Sequence, residues 1–455
     1  MIRYLRHIAL LGILAALAPA AVGAPPASPA DRIYRYNSTR CGWDGSPPPK
    51  GLKMAWRYAR DDWIILASPI AHSGRVYCAA TMLDITGSYG RLFCLDAKTG
   101  KPLWDIDTLG GRNLKGIFSS PAISADGKHI VIGQGLHSDS NSDLICVKAA
   151  SGKLHWRVRT PHHVEGSPAI LGDMAVAGSG AREDARNGNK PRGDTGYVLA
   201  VRISDGKQLW RYALPDPESS PAIGPDGTVY IGSTCNGKAI VALRSETDAE
   251  LQKKKLPRLI WRTSTPYPAC GAVTLAGDMV IIGTGRGNFA QRDRSPAGCV
   301  VALDRRTGKV LWRAKMLDTI LAPIAADATR LICPVRNGLL IALDLRTGKK
   351  LWLRSINGIR PLLAGAVLAG PRIYAVSGTG VLVVLDARTG RITEKIRINK
   401  PGRPGTGRMS ISSPLVDQGR LYVGSETGGL QCLIGAKQAP KPSKRSPRKQ
   451  RPANR

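Results

Sequence analysis

One phrase recurs through this chain and limits what it can fold into. A short apolar run leads to an Asp or its substitute. A Thr-Gly, Ser-Gly or Asp-Gly turn, a basic residue and a tryptophan follow. The copies read LFCLDAKTGKPLW to Trp104, LICVKAASGKLHW to Trp156, VLAVRISDGKQLW to Trp210, VVALDRRTGKVLW to Trp312 and LIALDLRTGKKLW to Trp352. A stretched copy ends at Trp261, and LVVLDARTGRITE has lost its Trp. With Trp56 ahead of them, successive tryptophans are 48, 52, 54, 51, 51 and 40 residues apart. A second phrase precedes each copy: ASPIA at 67–71, SSPAI at 119–123, GSPAI at 166–170, SSPAI at 219–223 and SSPLV at 412–416, with weaker forms at 271, 322 and 365.

Each unit reads as four short β-runs separated by glycine-rich turns. The D-x-x-T-G-K step is a hairpin turn in which the Asp accepts backbone N–H bonds and the Gly takes a positive φ. Lys148, Arg202 and Arg244 replace that Asp in the second to fourth units and should weaken their turns. A single four-stranded sheet cannot bury both its faces. Units of this period must therefore stack, and the expected fold is an all-β, eight-bladed β-propeller of four-stranded antiparallel blades. The tryptophans at 56, 104, 156, 210, 261, 312 and 352 are expected on outer strands, each packed against the neighbouring unit. The last unit supplies three strands only, and LKMAWRYA at 52–59 supplies the missing one. An N-terminal strand thus closes the ring and removes its open edges. The propeller is expected over 52–434.

The phrase A-x-D-x-x-T-G-K-x-x-W, quoted above around Trp104, Trp312 and Trp352, resembles the PQQ-like repeat of the quinoprotein alcohol dehydrogenase-like superfamily, which includes the outer membrane protein assembly factor BamB. The resemblance covers roughly 52–434, and the lead-in YRYNSTRCGWDGSPPP at 34–49 is similar to the entry segment of exported members. For the dehydrogenases it implies pyrroloquinoline quinone (PQQ) on the propeller axis, stacked on a Trp, beside a vicinal disulfide in many members. Ca²⁺ is held there by carboxylate and amide groups. This chain has no Cys-Cys pair, and no metal ligand is carried over from the family. The expectation is a propeller without a resident cofactor; PQQ with calcium is the alternative.

The two ends differ from the middle. Arg3, Arg6 and His7 precede an apolar run from Ile8 to Val22, so 1–23 reads as a secretory signal. No Cys follows that run, which argues against a lipid anchor. Residues 24–51 form a lead-in. The tail, counted from 435, holds eight Lys or Arg and no acid over 437–455 and is expected to be disordered. The whole chain has 66 Lys+Arg against 33 Asp+Glu, a formal charge of +33. Aromatic residues for stacking are few, at 5%, and no nucleic-acid-binding motif is present, so an exported protein of this kind calls for an anionic envelope polymer or a protein as partner rather than nucleic acid. No apolar run beyond the N-terminus is long enough to span a membrane. The body is expected to be a monomer.

Loops entering each inner strand, and those between second and third strands, share one face, here called the top. Binding residues tend to lie on such loops. The top-face candidates are Trp63, Arg112, Lys115, His162, His163, Glu165, Arg286, Arg360 and Arg408, mostly basic and able to focus a positive potential. His162, His163 and Glu165 also carry metal-ligand chemistry, but adjacent strand residues point to opposite faces, so the two histidines could act together only from a loop, and no further ligand lies nearby in sequence. Among nine cysteines, Cys235 and Cys270 are both expected near the top face, at the junction of the fourth and fifth units, and are the candidate disulfide. No catalytic residue is assigned. The function expected is a non-catalytic binding or assembly scaffold in the cell envelope. The alternatives are a small PQQ-dependent dehydrogenase and a polyanion-binding module.

Overall fold

The computed structural model describes residues 35, 37, 40–137, 139–180, 196–234, 237–287, 292–356, 361–400 and 410–436. The signal-like segment and nearly all of the basic tail lie outside them. Eight four-stranded antiparallel sheets follow one another in chain order as blades. Blades 1 to 7 span 70–106, 122–162, 169–213, 222–264, 274–316, 325–355 and 367–397. Blade 8 takes three strands from 415–434 and its outer strand, Lys53–Tyr58, from the other end of the chain. That closing strand pairs Lys53 with Ile434, Trp56 with Cys432 and Tyr58 with Leu430. No helix among the described residues is long and apolar enough to cross a membrane.

The repeated tryptophan joins one blade to the next. Its indole N–H donates to a backbone carbonyl in the following blade's third-to-fourth-strand turn: Trp56 to Ala97, Trp104 to Ala149, Trp156 to Ile203, Trp210 to Ser245, Trp261 to Arg305, Trp312 to Leu345 and Trp352 to Ala387, at 2.6–3.2 Å. Six of these rings lie against the glycine of that same turn, where a Cβ would sit 2.5–2.8 Å from the indole. The turn glycine thus serves its own hairpin and the neighbour's tryptophan. A small residue (Cys94, Cys146, Ala200, Ala242, Ala302, Ala342 or Cys432) stands opposite the Trp on the adjacent strand. The apolar Cys at that position is therefore a size choice.

Asp96, Asp304, Asp344 and Asp386 each accept from the Thr hydroxyl and backbone N–H three residues on, at 2.6–2.8 Å. Blade 3 lacks this Asp, but Asp205 within the turn accepts from the Lys207 N–H at 3.0 Å and pairs with Arg202. The stretched turn of blade 4 contains a short helix, Asp248–Lys254. Thr247 caps it and Glu250 completes a capping box, a local signal that the strand-by-strand reading did not use.

The Ser-Pro phrase also has a physical role. Around the axis, the backbone N–H of one blade's Ser donates to the Ser hydroxyl of the next. The belt runs Gly365 to Ser413, Ser413 to Ser68, Ser68 to Ser120, Ser120 to Ser167 and Ser167 to Ser220, each at 2.8–2.9 Å. It stops where Ala272 and Pro323 replace the serine.

Candidate functional site

Each inner strand starts two residues after a belt position, and the residue two before that position points at the axis. Eight equivalent positions result: Leu66, Phe118, Glu165, Glu218, Cys270, Leu321, Leu363 and Ile411. Four of them, Leu66, Leu321, Leu363 and Ile411, are buried against one another as an apolar plug, with Ile64, Phe118 and Cys270 packed on it. Burial of this apolar surface is what holds the plug together. An axial cavity of about 140 Å³ remains, bordered by all four plug residues and reaching every blade. Its walls include His137, Glu165, Glu218, Cys270 and Arg286, and the belt serines Ser68, Ser120, Ser167 and Ser220 also border it.

The lead-in occupies the channel too. An inner strand has an unpaired edge facing the axis, and its carbonyls need donors. Arg40, fully buried, donates from Nε to the Val273 carbonyl of blade 5 at 3.0 Å and from Nη2 to the Pro221 carbonyl of blade 4 at 2.6 Å. Arg35 donates to the Arg40 carbonyl at 2.9 Å and to the Ala366 carbonyl of blade 7. Residues 41–44 then bond to the inner edges of blades 7 and 8: the Leu368 N–H donates to the Cys41 carbonyl, and the Val416 N–H to Gly42.

The polar side of the cavity is a cluster from three blades. His137 follows the second strand of blade 2. His163 and Glu165 lie in the loop entering blade 3, and Glu218 in the loop entering blade 4. His163 Nε2 lies 2.9 Å from Glu218 Oε1, and His137 Nδ1 lies 3.5 Å from His163 Nε2. His137 Nδ1 is 3.3 Å from Glu165 Oε1 and 3.6 Å from Glu218 Oε1. The His163 side chain is fully buried, whereas that of His137 is 36% exposed. A Cβ on Gly180 would sit 2.3 Å from His163 Nε2, so a bare backbone is what admits this ring.

Of the residues singled out from sequence, His163, Glu165, Arg286 and Cys270 meet here. The guanidinium of Arg286 also lies 5.5 Å from the Tyr267 ring centre. Four of the others lie elsewhere. His162 is half-buried at the end of Leu154–His162, one residue before the cluster. Lys115 donates from Nζ to the Ser140 carbonyl at 2.5 Å. Arg112 is exposed on a two-stranded ribbon. Trp63 is half-buried, packed on the blade 1 core, with the Arg91 guanidinium 5.0 Å above its ring. Arg360, Arg408 and Cys235 lie outside the described residues, and with Cys235 so does the candidate disulfide. Among the described residues the cavity wall carries Arg286 against Glu165 and Glu218, so the expected positive funnel is not what lines this part of the axis. His137 and Glu218 were missed. Glu218 occupies in blade 4 the position of Glu165 in blade 3, so aligning the residue two before each belt position exposes it. His137 has no such signal.

The model of the family described as outer membrane protein assembly factor BamB matches residues 88–251 and 194–433. BamB of Nitrosomonas eutropha is 27% identical over 251 residues, 53% of this chain and 55% of that protein. The quinohemoprotein alcohol dehydrogenase ADH-IIG of Pseudomonas putida is 24% identical over 277 residues, 57% of this chain but 34% of the enzyme. The chain therefore spans about a third to half of the curated relatives it matches. Among solved structures, BamB from Moraxella catarrhalis superposes with TM-score 0.59 at 17% identity, over 86% of this chain and 99% of that one. A europium-containing methanol dehydrogenase gives TM-score 0.59 at 14% identity, over 89% and 91%. The chain belongs to the BamB-type PQQ-like propeller family.

Proposed function

We propose that this protein is a non-catalytic binding and assembly scaffold of the cell envelope, engaging a protein partner through its top face. The observation that carries this reading is the filled axis. Leu66, Leu321, Leu363 and Ile411 occupy the space from one side and Arg35 and Arg40 bond within the channel. The remaining cavity of about 140 Å³ is below the roughly 300–1,000 Å³ of usual small-molecule sites. The wall also suits a quinone–calcium centre poorly. Among the described residues it holds no Trp to stack on and no Asn, Gln or Asp to combine with the two glutamates. The signal-like segment at 1–23 supports an envelope location, and membership of the BamB-type family supports a role in assembly. The dehydrogenase reading has the matched relatives in its favour but not this wall.

A thermal shift with PQQ, with and without Ca²⁺, tests the reading. A ligand specific for the folded state raises the melting temperature with concentration. No rise at saturating quinone, with no quinone-dependent dye reduction, is expected; a Ca²⁺-dependent rise overturns the proposal in favour of the enzyme. For the partner, Phe118→Glu changes a half-buried axial position. The expected result is a protein that folds normally but loses its cross-linked partner in envelope extracts.

A further inference from the structure

We infer that His137, His163 and Glu218, with Glu165 beside them, form a binding site for a zinc-class divalent cation on the wall of the axial cavity. The inference stands apart from the scaffold reading, since it concerns what these side chains hold rather than what the top face binds. Two imidazoles and one carboxylate are a usual set of three protein ligands for zinc, leaving a fourth position open. Geometry carries the argument. With metal–ligand bonds of about 2.0–2.1 Å, tetrahedral coordination places the ligand atoms about 3.3–3.4 Å apart. The three separations here are 3.5, 3.6 and 2.9 Å, and all three ligand atoms lie within 4.8 Å of one another. Each ligand needs only a few tenths of an ångström of movement. Glu165 Oε1, 3.3 Å from His137 Nδ1, is close enough to add a second carboxylate.

Three features make this more than a chance meeting of side chains. The ligands sit in loops of three consecutive blades of a closed ring, and separate four-stranded sheets anchor the ends of those loops. The His163 ring is buried in a gap that the missing Cβ of Gly180 leaves for it. The cluster also opens onto a cavity of about 140 Å³, well above the roughly 10–15 Å³ that one water needs. Water or an anionic ligand can therefore take the open position. Imidazole with carboxylate favours Zn²⁺, Co²⁺, Ni²⁺ or Cu²⁺ over Ca²⁺ or Mg²⁺, which prefer all-oxygen sites.

The test is isothermal titration of the untagged, metal-stripped full chain with Zn²⁺, paired with the visible absorption of Co²⁺. One equivalent should bind saturably, and Co²⁺ should give the intense d–d bands of a four- or five-coordinate site. His137→Ala removes a partly exposed ligand and Glu218→Gln keeps the shape of a second. Each is expected to weaken binding by about 10- to 100-fold or more, at least what loss of an outer hydrogen-bond partner costs a metal site. Circular dichroism checks that both variants fold. Cys270→Ser, on the same wall, should leave affinity and spectrum unchanged. Gly180→Ala keeps every ligand but crowds His163, and should lose binding as well. Equal affinity in wild type, His137→Ala and Glu218→Gln overturns the inference, as does absence of saturable binding. A strong sulfur-to-cobalt charge-transfer band abolished by Cys270→Ser also overturns it, by making the thiol the ligand. In any of these cases the cluster is a hydrogen-bonded imidazole–carboxylate network only.

Discussion

Replacing Gly308 by Ala tests the claim that tryptophan–glycine contacts fasten the blades together. Gly308 has φ +72° in the blade 5 turn, and an added Cβ would lie 2.5 Å from Cδ2 and 2.7 Å from Cε3 of Trp261. That indole also donates to the Arg305 carbonyl at 3.1 Å, so it cannot swing away without giving up the bond. Two costs add. A non-glycine residue in the left-handed region costs about 1–2 kcal/mol, and forcing atoms into a packed contact costs about 1–3 kcal/mol. The variant should therefore lose about 2–5 kcal/mol. Gly277, in the same blade, separates the two. It has φ +60°, but a Cβ there meets nothing within 4 Å, so Gly277→Ala should lose only the backbone part, about 1–2 kcal/mol. Urea unfolding followed by far-ultraviolet circular dichroism measures both. Trp261→Leu then removes the ring that the methyl strikes, and in that background the extra cost of Gly308→Ala should largely vanish, as a double-mutant cycle would show. The reasoning fails if Gly308→Ala is no worse than Gly277→Ala. It also fails if the excess survives the loss of Trp261.

Other consequences follow from the same structure. Arg40→Met should lower stability by about 1–3 kcal/mol per stranded carbonyl, at Val273 and Pro221. Arg40→Lys should rescue little, because one ammonium cannot reproduce a planar fork spanning two blades; thermal melts of both variants decide this. Ser120→Ala should cost about 1–3 kcal/mol by orphaning the buried Ser68 N–H, measured against Ser151→Ala in an exposed turn as control. Burial pushes the thiols of Cys78, Cys94 and Cys146 up to about 12 and that of Cys432 to about 11, from an ordinary 9.0. Because the folded values are raised, their contribution is complete below about pH 9. It is lost as pH rises towards 12, where the unfolded chain has released those protons. Melting temperature should fall steeply over that alkaline range, and Cys78→Ala should flatten the fall. At the acid end, the Thr hydroxyls and then the backbone N–H groups hold Asp96, Asp304, Asp344 and Asp386 below their ordinary 3.8. Their contribution, present above that value, is lost only as pH drops beneath it, and it is small because these turns face solvent.

The sequence by itself determined the blade. Strand pairing, the Asp-Thr-Gly turn and the tryptophan repeat all act within one unit or between consecutive units, so each leaves a mark at a fixed spacing. Closure was legible for the same reason: a three-stranded unit at one end and a single Trp-bearing strand at the other complete one sheet. The Ser-Pro phrase was visible, but its purpose was not, since its hydrogen bonds run around the axis rather than along the chain.

Tertiary structure decided the site. Stacking of consecutive blades brings His163 and Glu218 together across 55 positions of sequence, and the repeat register that aligns Glu218 with Glu165 does not record that both meet His137 at one cavity wall. His163 and Glu165 could be named as ligand types, but Glu218 joins them only because blade 4 sits beside blade 3, and His137 because a loop of blade 2 turns inward. Arg40 read as one basic residue in a lead-in. Only the fold shows that it spans two blades inside the channel, where inner-strand edges leave carbonyls that water cannot reach.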